Sequence, residues 1–182
     1  VAPGVKRRIV FAFDYSNLEV TMRPQVLEAA KTMLKGWKTD DEEVMIVALA
    51  SGVRVEQKFT KDVRQLGAAL TRMQHDVTLW PREFPIGSTG KGYFASYSTL
   101  MDVLGSYDGA KAVVLFSQAS AISASMRDLY LNDVAAHASA AQAAIYPAKP
   151  DLLDAKGPGD TLVRLANQTG GRYQTITNDL SL

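Results

Sequence analysis

Apolar and polar positions follow two rhythms along this chain, and the rhythms predict strands and helices in turn. Arg8-Ile9-Val10-Phe11-Ala12-Phe13 is an almost unbroken apolar run ending at Asp14, the pattern of a central strand buried on both faces. Pro24 then suits the first position of a helix, in which Val26, Leu27, Ala30, Met33, Leu34 and Trp37 recur on one face. Lys38 to Glu43 reads as a charged turn and Val44 to Ala50 as a second buried strand. After the Ser51-Gly52 turn, Val53, Val55, Gln57 and Phe59 alternate with Arg54, Glu56 and Lys58. Strict alternation after a two-residue turn predicts a hairpin whose second strand is an antiparallel edge with one wet face.

Thr60 is a candidate cap for the next helix, whose inner face is Val63, Leu66, Leu70 and Met73. Residues 79–92 are rich in Pro and Gly and predict an irregular surface loop. Phe94, Tyr97, Leu100, Met101 and Leu104 give a further helix, and Ala112 to Phe116 a further buried strand. An alanine-rich helix is expected from Met126 to about Gln142, then a short strand at Ala144-Ile145-Tyr146 and a loop from Pro147 to Pro158. Leu162, Leu165 and Ala166 mark a last helix closed by Gly170-Gly171, and Arg172 to Ile176 a final strand. Together these predict one domain over residues 1–182: a three-layer, doubly wound α/β sandwich of Rossmann-like type. About six strands are expected, mostly parallel, with one antiparallel edge. Sites in such sheets lie at the carboxyl ends of parallel strands, where the strand order reverses. That directs attention to Asp14-Tyr15-Ser16 and to Ser117-Gln118-Ala119-Ser120.

Composition narrows the chemistry. The 182 residues are 47% hydrophobic and 21% charged, enough to bury a core without staples. A net charge of +1 disfavours a general nucleic-acid binder. The absence of cysteine excludes disulfides, zinc-thiolate sites, iron–sulfur clusters and thiol catalysis. No apolar run is long enough to span a bilayer, so membrane insertion by this domain is not expected. The start at Val1 suggests a piece of a longer chain.

The order of elements, the Asp14-x-Ser16 at the end of the first strand and the hairpin after the first helix carry a resemblance. So does the tail, Leu162-x-x-Leu165-Ala166-x-x-Thr169-Gly170-Gly171-Arg172, continued by Thr177-Asn178-Asp179-Leu180. The chain resembles a von Willebrand factor type A domain, and more narrowly the VWFA-related Acidobacterial domain family. The resemblance implies adhesion or assembly rather than catalysis, a protein partner, and an exported (periplasmic or extracellular) location. It also implies a metal-ion-dependent adhesion site at the top of the sheet, built from Asp-x-Ser-x-Ser, a Thr from a middle loop and a late Asp. Mg²⁺ there needs about six oxygens in a tight octahedron, and a partner's carboxylate would complete the shell.

Carried over residue by residue, the match is incomplete. Asp14 and Ser16 fill the first two positions, Leu18 replaces the third, and Gln118 replaces the late Asp. Ser96, Ser98 and Thr99 are the candidates for the middle hydroxyl. The expected site is therefore degenerate: Mg²⁺ would be held weakly, no other cofactor is implied, and Asp14 and Ser16 would serve mainly to hydrogen-bond the loop backbone. On the same logic, Leu18→Ser with Gln118→Asp is expected to create Mg²⁺ affinity. A metal-dependent adhesion domain binding an acidic side chain is the alternative, and a small-molecule hydrolase or nucleotide binder a remote one.

Other motifs read as ordinary structure. Gly87-Ser88-Thr89-Gly90-Lys91-Gly92 lacks the P-loop spacing, since Pro85 stands where the first Gly belongs and Gly92 follows the Lys. His75 and His137 are far apart and suit surface or helix-end positions. Asp40-Asp41-Glu42-Glu43 reads as a solvated run of charge. Ser16, Ser117 and Ser120 lie near the expected sheet top, but no base is placed beside them. Trp80, Phe84 and Ile86, with Tyr93 and Phe94 nearby, are expected to fold back on the core, the alternative being an exposed anchor for a partner.

Overall fold

Six strands form one sheet: β1 (Arg7–Asp14), β2 (Glu42–Leu49), β3 (Val53–Thr60), β4 (Lys111–Phe116), β5 (Ala143–Pro150) and β6 (Gln174–Ile176). Their order is β3-β2-β1-β4-β5-β6 in the computed structural model, which describes residues 7–36, 42–80, 91–118, 124–150 and 160–176. All pairs are parallel except β2 with β3, so the hairpin strand is the antiparallel edge that its alternation predicts. The order reverses beside β1, which places the switch point between the carboxyl ends of β1 and β4.

The pleat divides the core. Val10 and Ala12 point to one face with Met45, Val47, Val113 and Leu115, against α3 (Lys91–Gly105), α4 (Ala124–Ala140) and α5 (Asp160–Thr169). Phe11 and Phe13 point to the other with Ile46, Ala48 and Phe116, against α1 (Arg23–Lys35) and α2 (Val63–His75). Phe13 stacks on Phe116 with ring centroids 4.7 Å apart, tying β1 to β4 just below the switch point. Continuing the alternation, Asp14 is the next residue after Ala12 on the α3 side.

Several boundaries differ from expectation for local reasons. Asp62, not Thr60, caps α2: its carboxylate accepts from the Arg64 amide at 2.9 Å, while the Thr60 hydroxyl accepts from the Asp62 amide. Val63 then lies outside the core, with Leu66, Ala69, Leu70 and Met73 inside. Glu42 and Glu43 belong to β2 rather than to a turn and pair with Arg7 and Arg8 at 3.6 and 3.4 Å. Trp37, Asp40 and Asp41 lie outside the described residues.

β5 runs through Pro147 and Pro150, where a loop is expected. Pro147 pairs only with Leu115 of β4, because pairing with β6 begins at Ala148. Pro150 pairs only with Ile176 of β6, past the end of β4. Each proline therefore sits where the strand has a single neighbour and its missing N–H is not needed. The alanine-rich helix α4 starts at Ala124 and ends at Ala140, two residues short of Gln142, whose left-handed φ of 53° stops it. Gly171 permits the final turn: a Cβ there would lie 1.8 Å from the Ile145 carbonyl oxygen. Among the described residues no helix is long and apolar enough to cross a membrane.

Candidate functional site

Asp14 ends β1 at the switch point and is fully buried, 0% exposed. The register that pairs Phe13 with Phe116 sets Ser117 beside it. Asp14 Oδ2 accepts from Ser117 Oγ at 2.8 Å, from Asn17 Nδ2 at 2.7 Å and from the Tyr97 hydroxyl. Tyr97 and Ser117 oxygens are themselves 3.4 Å apart. Asp14 Oδ1, equally buried, has no hydrogen-bond partner among the described residues.

Each donor is placed by its element. Tyr97 projects from the inner face of α3, its ring set edge-on to Phe94 at 5.8 Å. Asn17 is held by the tight turn after β1, in which the Asn17 and Leu18 amides both donate to the Asp14 carbonyl. Burial pushes the Asp14 carboxyl up, against the downward pull of the Tyr97, Asn17 and Ser117 donors. Burial, then the charge and hydrogen bond of Asp14, push the Tyr97 phenol well above its usual value, so it stays a neutral donor.

The residues expected to gather round a metal are pulled apart. Ser16 Oγ donates to the Ala50 carbonyl at 2.8 Å, joining the β1 loop to the end of β2 rather than facing Asp14. Leu18 is buried in the core on the α1 side. Gln118 Oε1 accepts from the Glu19 amide at 2.8 Å, clamping the loop from the β4 side. Of the three hydroxyl candidates on α3, Ser98 donates to Asp133 on α4 at 2.8 Å and Thr99 is exposed. Ser96 is half-buried, and Tyr97 between them is the residue that reaches Asp14. Among the described residues no three His, Asp or Glu side chains converge as metal ligands. One sealed carboxylate, with its neighbouring hydroxyls already committed, does not fit the octahedral oxygen shell that Mg²⁺ requires.

Beneath the same loop lies a buried cation. Arg23 at the start of α1 donates from Nε to the Leu18 carbonyl at 3.1 Å, from Nη1 to Leu79 at 2.9 Å and from Nη2 to Tyr15 at 3.0 Å. Its guanidinium also lies over the Tyr15 ring, 5.3 Å from the centroid. Arg23 thus ties the β1 loop to the 3₁₀ turn Val77–Leu79.

The remaining candidates take ordinary places. His75 Nδ1 meets the Thr71 carbonyl at 2.8 Å on α2, and His137 Nδ1 meets Asp102 at 2.5 Å across α3 and α4. Neither approaches Ser16 or Ser117 by a hydrogen bond, and Ser120 lies outside the described residues. Leu79 is buried and Trp80 half-buried, its Nε1 donating to the Gln74 carbonyl at 3.1 Å, so the start of the 79–92 loop folds back. Phe94 is in the core; Phe84, Ile86, the side chain of Tyr93 and the Gly87–Gly90 stretch lie outside the described residues.

No family model matches the chain, and no curated protein matches it either. Solved structures do match, at low identity. BatB from Bacteroides thetaiotaomicron is 9% identical with a TM-score of 0.60, over 94% of this chain and 90% of that one. The vWF domain of the type V pili tip protein Mfa5 from Porphyromonas gingivalis is 10% identical with a TM-score of 0.60, again over 94% and 90%. An aerotolerance-related membrane protein from Bacteroides fragilis is 11% identical with a TM-score of 0.57, over 94% and 92%. The chain therefore has the von Willebrand factor type A fold.

Proposed function

We propose that this chain is a non-enzymatic protein-interaction or assembly module of a larger, exported bacterial protein, and that it binds its protein partner without a divalent ion. The observation that carries this is Asp14, sealed from solvent and hydrogen-bonded to Tyr97, Ser117 and Asn17 at the switch point of the sheet. Asp14 and Ser16 are then remnants of a degenerate adhesion site whose side chains now brace the sheet top. The occurrence of this fold in a pilus tip protein supports an interaction role, and its occurrence there and in a membrane protein supports export. Catalysis finds no support: Ser117 is buried against a carboxylate, and both histidines bond elsewhere.

The unpartnered Asp14 Oδ1 favours a second reading, a metal-dependent adhesion domain that binds an acidic side chain once the site opens. In-cell cross-linking of the full-length parent protein separates the two. Cross-links from this domain to another polypeptide that persist in EDTA are expected. Their loss in EDTA, with restoration by Mg²⁺, would establish the second reading, and an absence of cross-links would contradict both.

A further inference from the structure

We propose that Tyr97 occupies the position a divalent cation would take between Asp14 and Ser117, so that this one phenol keeps a latent Mg²⁺/Mn²⁺ site closed. The inference rests on the ion-independent reading above and names the residue responsible for it.

Three observations converge. The Tyr97 oxygen is bonded to the Asp14 carboxylate and lies 3.4 Å from the Ser117 hydroxyl, so it stands over this directly hydrogen-bonded pair, where an ion shared by the two would sit. A cation bridging those groups would need to approach each to about 2.1 Å, which a phenol oxygen bonded to Asp14 and 3.4 Å from Ser117 prevents. Second, the phenol cannot swing aside cheaply. Tyr97 is buried, and its ring packs against Phe94, which in turn stacks on Tyr130 of α4 at 5.8 Å. Rotating it out would open the core between α3, α4 and the sheet. Third, Asp14 Oδ1 is buried with its lone pairs unmatched among the described residues. Native interiors rarely leave a carboxylate oxygen so, because an unsatisfied buried acceptor is costly. A hydroxylic or aqueous ligand sphere would use that oxygen; the Tyr97 hydroxyl, donating to Oδ2, does not. Leu18, Ser16 and Gln118 are secondary by comparison, since none of them lies in hydrogen-bond contact with the Asp14 carboxylate.

The test uses the full chain with Tyr97→Ser, which removes the ring and leaves a small hydroxyl, and Tyr97→Phe, which keeps the ring. Mn²⁺ binding is read by loss of the free-ion electron paramagnetic resonance signal. Tyr97→Ser is expected to gain about tenfold or more in Mn²⁺ affinity over wild type, and Asp14→Asn in that background to abolish the gain. Tyr97→Phe removes the blocking oxygen but keeps the buried ring that seals the site, so a smaller gain than that of Tyr97→Ser is expected. A folded Tyr97→Ser with no gain would overturn the inference while leaving the ion-independent reading intact; wild-type binding as tight as that of Tyr97→Ser would overturn both. Should Tyr97→Ser not fold, wild-type NMR decides. Tyr97 and Ser117 signals that neither shift nor broaden in millimolar Mn²⁺ support a closed site, and selective broadening of those signals refutes it.

Discussion

Replacing Arg23 by methionine is expected to lower folding stability by about 4–7 kcal/mol, because three main-chain carbonyls lose their donor together. The carbonyls of Tyr15, Leu18 and Leu79 accept from this guanidinium at 3.0, 3.1 and 2.9 Å, and Arg23 is only 1% exposed. An orphaned buried acceptor costs about 1–3 kcal/mol, so three give roughly 3–9, and loop relaxation with water entry takes the lower half. The interaction with the Tyr15 ring adds about 1 kcal/mol. Methionine nearly preserves the apolar stem, so it separates lost donation from lost packing; Arg23→Ala loses both. Arg23→Lys retains the charge but cannot reach three carbonyls with one ammonium, and about half the loss is expected. Urea unfolding followed by circular dichroism measures each value, provided the slope is unchanged. A total of this size is a large part of the roughly 5–15 kcal/mol available to a domain. Hydrogen exchange at residues 15–19 should accelerate in parallel, because the same bonds hold the loop after Asp14. If Arg23→Met costs less than about 1 kcal/mol while Arg23→Ala costs several, the stem and not the carbonyl cage holds the loop.

Gly171→Ala should destabilise the chain by about 2 kcal/mol or more, since the new Cβ would meet the Ile145 carbonyl oxygen at 1.8 Å; thermal melts read it. Leu18→Ser with Gln118→Asp is now expected to lower stability without creating Mg²⁺ affinity while Tyr97 remains. Leu18 is core and Gln118 holds the Glu19 amide, so calorimetric Mg²⁺ binding by that double variant would refute the blocking role of Tyr97. The Asp76 carboxyl is held at about 2 by bonds from Thr78 and then Arg54. A depressed folded value makes its contribution present above the unfolded value of 3.8 and lost as pH falls through about 2, so Asp76→Asn should flatten acid unfolding in that window. His137 is raised above 6.5 by its bond to Asp102, so its contribution is full below 6.5 and lost as pH rises through the folded value. Asp102→Asn should shrink that loss and move the His137 NMR titration towards its ordinary midpoint, with Asp133 still close by at 3.8 Å.

The fold was legible because two periodicities and one turn pair specify it: Ser51-Gly52 followed by strict alternation gives the edge strand, and the runs ending at Asp14 and Phe116 give the central pair. What misled was local. Pro147 and Pro150 read as loop residues because a sequence does not disclose that β5 has only one neighbour at each. Asp14 was legible as the strand-end carboxylate, but its partners were not. Ser16 and Asp14 are two residues apart and leave the strand end in different directions, one to Ala50 and the other to Tyr97. Tyr97 looked like one more apolar position on an amphipathic helix. A buried tyrosine must still place its hydroxyl, and a strand-end carboxylate was the obvious acceptor within the same site. Arg23 gave no signal at all, since an arginine at a helix start ordinarily faces water.

The most direct test of ion independence is a calorimetric and thermal-melt titration of the wild-type chain with Mg²⁺, with EDTA as the reversal and Asp14→Ala as the control. No binding heat is predicted, and the melting temperature should be the same in millimolar Mg²⁺ and in EDTA. A saturable rise in melting temperature that EDTA reverses and Asp14→Ala abolishes would contradict the account, because only an ion bound to the native site can stabilise it by mass action.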